Sequence, residues 1–102
     1  MADLIIRQIE RGQEPWRFRV EIIEGTSRTV HEVTLSEKDY RKWTREKCAP
    51  RQCVQAAFEF LLEREDKESI LSEFDISVIP RFFPEFPKAF AKFLPKKAKD
   101  LQ

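Results

Sequence analysis

The sequence predicts an α+β fold: an N-terminal antiparallel hairpin or three-stranded sheet packed against a C-terminal helical half. Three observations carry this. Trp16 to Ile23 alternate apolar and polar with period two. Pro50 to Glu65 place apolar residues at helical spacing. Pro80, Pro84, Pro87 and Pro95 then divide the rest into short pieces, because proline lacks an N–H and restricts the residue before it.

Leu4 to Ile9 form a short strand with Leu4 and Ile6 on one face and Ile5 and Ile9 on the other; apolar on both faces, the stretch also suits a short helix. Arg11 to Pro15 make a turn. In the next strand Trp16, Phe18, Val20 and Ile22 point one way and Arg17, Arg19 and Glu21 the other, the pattern of a half-covered antiparallel strand. Glu24-Gly25-Thr26-Ser27 close a hairpin, and Arg28 to Leu35, rich in Thr and Val, return. Ser36 is a natural N-cap with Asp39 three residues on, and Leu35 and Tyr40 have staple spacing. That helix ends near Lys47, with Tyr40 and Trp43 as its buried residues.

The hub of the core is the helix from Pro50 to Glu65. Cys53, Val54, Ala57, Phe58, Phe60, Leu61 and Leu62 cover roughly 200° at about 100° per residue, so it must be covered from two sides. Glu63 and Lys67 have i,i+4 spacing for an ion pair. Arg64 falls on the apolar side, where its stem can lie on the core while its head meets a buried carboxylate. Ile70, Leu71 and Phe74 suggest a short helix, and Asp75 can cap a turn carrying Ile76, Val78 and Ile79. The chain reads as one domain over 1–102, with a flexible polar tail at 96–102.

Composition narrows the function. The 102 residues include 19 basic and 18 acidic side chains, a net charge of +1, so no global field gathers nucleic acid or an anionic membrane. Two glycines exclude a Gly-rich phosphate loop. Cys48 and Cys53, five apart across a helix start, match neither a disulfide framework nor a zinc knuckle, and His31 is the single histidine. No metal or cofactor is expected. No apolar run reaches the ~20 residues of a membrane span. A soluble, cytoplasmic protein with reduced thiols is expected.

From His31 onward the chain resembles a small bacterial family of uncharacterised proteins. The matching residues are His31-Glu32-Val33-Thr34-Leu35, Tyr40, Phe58-Glu59-Phe60-Leu61-Leu62-Glu63-Arg64-Glu65, Glu68-Ser69-Ile70-Leu71, Phe74-Asp75-Ile76-Ser77-Val78-Ile79 and Phe83-Pro84-Glu85-Phe86. They span about two-thirds of the chain, and the resemblance implies no activity. Pro80 stands where the family pattern has a small polar residue, which bears on the local helix geometry.

An enzyme would have to use Cys48, taken as an exposed thiol beside a helix start, with His31 as its base, but nothing suggests an oxyanion hole. His31, mid-strand beside Val33 and Leu35, is better read as a structural histidine. The acids Glu63, Glu65, Asp66 and Glu68 read as a solvated helix end. The expectation is a non-enzymatic protein-interaction module or small accessory subunit, able to dimerise, with Phe82, Phe83, Phe86, Phe90 and Phe93 as contact surface. Beside it stands the reading that all five fold back on the sheet. The alternative from another class is a nucleic-acid-associated regulator using Arg17, Arg19, Arg28, Lys92, Lys96 and Lys97. The stretch from Glu85 to Gln102 carries five lysines against two acids, a net of +3.

Overall fold

The protein is described by a computed structural model that covers residues 2–10 and 12–95. Strands β1 (Asp3–Glu10), β2 (Trp16–Glu24) and β3 (Ser27–Leu35) form an antiparallel meander. A two-residue turn joins β2 to β3, and Gly25 at φ 61° supplies the positive dihedral it needs. The alternation in β2 is realised: Phe18, Val20 and Ile22 are fully buried while Arg19 is exposed. Register places them beside Ile6, His31, Val33 and Leu35, so one face of the sheet is core.

A fourth strand departs from expectation. Glu73–Asp75 (β4) pairs parallel with β3, opposite Glu32, Val33 and Thr34, giving the order β1-β2-β3-β4. Phe74 is therefore a strand residue; the expected helix over Ile70–Phe74 is absent, and a 3-10 turn at Lys67–Ser69 precedes the strand instead. The edge of β3 had unpaired amides, and β4 satisfies some of them: the Glu32 N–H donates to the Ser72 carbonyl at 2.8 Å.

Helix α1 (Glu37–Thr44) starts as its capping pattern predicts, with Ser36 Oγ accepting from the Asp39 N–H at 3.1 Å. It ends in two consecutive non-glycine residues with positive φ, Arg45 at 54° and Glu46 at 60°. The Thr44 hydroxyl donates to the Tyr40 carbonyl and accepts from the Glu46 N–H, pinning the turn. Tyr40 and Trp43 are partly buried, and Thr44 is the buried residue of this helix.

Helix α2 (Pro50–Leu62) is the hub. Pro50 occupies the first turn, and Gln52 Oε1 reaches back to accept from the Ala49 N–H at 2.8 Å. Cys53, Val54, Ala56, Ala57, Phe58, Phe60 and Leu61 are buried, on a helix covered by the sheet on one side and the C-terminal segment on the other. Each phenylalanine so buried contributes about 1.5–3 kcal/mol.

The C-terminal segment folds as short turns between prolines: a 3-10 turn over Ile76–Val78, α3 (Ile79–Phe82), α4 (Phe86–Ala89) and a 3-10 turn over Phe90–Phe93. Asp75 caps the first, accepting from the Ser77 N–H at 3.1 Å. Pro80 and Pro87 sit in first turns, where a missing donor costs nothing.

Candidate functional site

The end of α2, the 66–74 segment and α3 enclose a cleft of about 290 Å³. Leu61, Ile70, Phe74, Ile79 and Phe83 form its apolar wall, and Leu71 and Phe82 stand at its mouth, 53% and 67% exposed. The local cause is geometric. Phe82 is the last residue of α3 and Phe83 is its non-helical cap at φ -131°, so the two side chains diverge. Phe83 turns in to meet Phe60 edge-on at 5.8 Å, so Phe82 is left outside. Leu71 is exposed beside buried Ile70, in the extended stretch leading to β4.

One carboxylate, Glu65, lines this cleft. Burial alone pushes its pKa above the ordinary value; no neighbouring charge or hydrogen bond counters the desolvation. It makes no ion pair with a described residue. The cleft is thus an apolar recess with one partly buried carboxylate at its edge, suited to an apolar group that carries a hydrogen-bond donor or positive charge.

The five predicted phenylalanines divide. Phe82 is at the cleft mouth, and Phe83 lines the cleft while half-buried. Phe86 and Phe90 are corrections to the contact-surface expectation: both are fully buried, stacked on each other at 4.4 Å and met edge-on by Trp43 at 5.2 and 6.2 Å. Phe93 is half-buried beneath Lys92, whose Nζ lies 5.3 Å from the ring centre. Leu71, Glu65 and Val78 join the cleft unannounced. Their one trace in the sequence is an apolar pair, Ile70-Leu71, wider than a single buried position requires.

The basic residues do not converge. Arg17, Arg19 and Arg28 lie on the outer face of the sheet, where Arg19 pairs with Glu32 at 3.2 Å and Arg28 with Glu21 at 3.8 Å. Lys92 meets Glu63 at 3.7 Å on another part of the surface. Lys96 and Lys97 lie outside the described residues.

Two further expectations are corrected. Lys67 does not pair with Glu63. It is 3% exposed, and its Nζ donates to Glu68 at 2.8 Å and Glu24 at 3.3 Å, because α2 ends at Leu62 and helical spacing no longer applies. Arg64 does lie on the core, its guanidinium 3.9 Å from the Phe60 ring centre, but its carboxylate partner, Glu85 at 3.1 Å, is half exposed rather than buried.

The Cys48–His31 pairing is not formed. Cys48 is buried, not exposed, in the turn before α2. Both ring nitrogens of His31 are engaged elsewhere: Nδ1 donates to the Leu71 carbonyl at 2.7 Å, and Nε2 accepts from the Thr29 hydroxyl at 2.9 Å. This is a structural histidine tying β3 to the segment before β4. Burial pushes the Cys53 thiol up to about 12, far from a reactive thiolate. Among the described residues no cluster of His, Cys, Asp or Glu is placed to hold a metal ion, and no helix is long and apolar enough to cross a membrane.

No family model, curated protein or solved structure matches the chain.

Proposed function

We propose that this protein is a non-enzymatic protein-interaction module that grips a partner protein through the cleft beside α3. The observation that carries this is the pairing of two large open apolar side chains, Phe82 and Leu71, at the mouth of one apolar recess. Exposed apolar groups of this size cost solubility unless something covers them. Glu65 sets the chemistry of the occupant: an apolar side chain of the partner fills the recess, and an adjacent Lys or Arg meets the carboxylate. The two buried cysteines, not joined in a disulfide, suit a reducing setting such as the cytoplasm.

A displayed random peptide library tests this. Panning is expected to enrich peptides with a large apolar residue next to a basic one. Their affinity should fall at least tenfold in Phe82→Ser and several-fold in Glu65→Gln. Peptides without that pattern, or binding indifferent to both substitutions, would refute the proposal.

Charge favours this over a nucleic-acid role. The outer sheet face carries Arg7, Arg17, Arg19 and Arg28, but Asp3, Glu21, Glu32 and Glu73 share it, and two of the arginines are already in ion pairs. Nucleic-acid affinity rests on uncompensated cations, so no salt-dependent gel shift with mixed DNA and RNA is expected.

A further inference from the structure

We infer that β1 is the interface of a two-fold dimer, in which it pairs antiparallel with β1 of a second copy about an axis through Ile5. Among the described residues β1 is an eight-residue edge strand with no strand on its outer side. Such an edge is a template for another strand unless something blunts it.

The backbone sets which residues can pair. The two-residue turn makes Glu24 and Ser27 a hydrogen-bonded pair, so Ile22 and Val20 bond toward β3, and Ile23, Glu21 and Arg19 bond toward β1. Asp3, Ile5 and Arg7 therefore spend their backbone groups on β2, while Leu4, Ile6 and Gln8 present theirs to the open edge. The Ile6 carbonyl confirms this side: it accepts from Arg51 Nε at 3.4 Å, a long bond that a strand amide can replace.

Side chains choose the register. The Asp3 and Arg7 side chains are both exposed on the outer face, and neither side chain makes a hydrogen bond or ion pair with a described residue. Arg7 moreover stands directly opposite Arg19 on β2, a like-charge pair. An axis through Ile5 sets each Asp3 against Arg7 of the other copy and the two Ile5 side chains, 39% exposed, against each other. Leu4 and Ile6 then exchange backbone bonds across the seam. An axis through Arg7 would oppose two arginines; axes through Leu4 or Ile6 would leave both charges unmatched. The partner is accordingly a second copy of this chain, and the sheet runs continuously through the pair.

Sedimentation equilibrium of the full chain tests the proposal. The wild type is expected at about twice 12.2 kDa in the micromolar range. Asp3→Arg and Arg7→Asp should each weaken the dimer at least tenfold, since each opposes like charges twice over, and the double swap should restore it. Ile5→Cys should give a disulfide-linked dimer on mild oxidation, because residues facing across such an axis lie about 4.5 Å apart at Cα. Circular dichroism checks that each variant folds. A wild type monomeric throughout, or a dimer that ignores the charge variants and yields to Phe82→Ser instead, would overturn the assignment.

Discussion

Replacing Phe86 and Phe82 separately by alanine measures whether the aromatic segment is core or surface. Phe86 is fully buried and meets Trp43 at 5.2 Å, Phe60 at 5.0 Å and Phe90 at 4.4 Å. Truncating such a ring costs about 3–5 kcal/mol, and losing three ring pairs of about 0.5–1.5 kcal/mol each puts the expected loss in the upper half, about 4 kcal/mol. Phe82 is 67% exposed, so its truncation should change stability by less than about 0.5 kcal/mol. In urea, with a slope of about 1.5 kcal/mol per molar, Phe86→Ala moves the midpoint down by about 2.5 M and Phe82→Ala hardly at all. A domain this size holds about 5–15 kcal/mol, so a loss of about 4 kcal/mol takes most of the margin at the lower end; circular dichroism in buffer reads that loss directly. Tryptophan fluorescence follows the transition, since Trp43 packs on the ring being removed. If the Phe86→Ala midpoint stays within about 0.5 M of wild type, or Phe82→Ala matches its loss, the packing described here is wrong.

Both thiols should react with Ellman's reagent only as fast as the chain opens, because each is buried and burial pushes Cys53 up to about 12; fast labelling of the native protein contradicts this. His31→Phe should cost about 1–3 kcal/mol in denaturant unfolding by stranding the Leu71 carbonyl and the Thr29 hydroxyl, and a neutral result would mean water serves both. Arg45→Gly should raise the thermal midpoint, because relief of a left-handed backbone (about 1–2 kcal/mol) outweighs the added entropy of the unfolded chain (about 0.5–1 kcal/mol), and a lowered midpoint would contradict this. The Lys67–Glu68 contact holds Glu68 below its ordinary 4.5 and Lys67 above its ordinary 10.5 through their mutual hydrogen bond. Its stability is therefore present between those values, lost in acid as pH falls through the lowered Glu68 value, and lost in base as pH rises through the raised Lys67 value. The stability gap between wild type and Lys67→Met should narrow at both ends, and a gap constant from pH 2 to 12 would contradict the pairing.

What the sequence disclosed was whatever depends on neighbours along the chain. The alternation from Trp16 to Ile22, the cap at Ser36, the apolar arc of α2 and the Asp75 turn each follow from local spacing, and the α+β arrangement follows from them. What stayed hidden depends on residues far apart. Glu73-Phe74-Asp75 is too short to show a strand period and becomes one only because β3, about forty positions earlier, has an open edge. Phe86 and Phe90 look no different from Phe82 in sequence; Trp43 and Phe60 decide which of them is enclosed. Helical spacing points Lys67 at Glu63, but the chain leaves the helix first and Lys67 meets Glu24 at the β2–β3 turn. The cleft was illegible for the same reason, since its walls come from three separate stretches.

The three-residue seam between β3 and β4 is short, and Phe74, one of its residues, is also a wall of the cleft. Fraying of that seam frees the Glu32 amide, now bonded to Ser72, to exchange its proton with solvent. If the proposed peptide lodges against Phe74, it is expected to hold the seam shut, and deuterium uptake at Glu32 then serves as a built-in gauge of occupancy. It can be read without any label on the ligand, and it slows in proportion as the site fills.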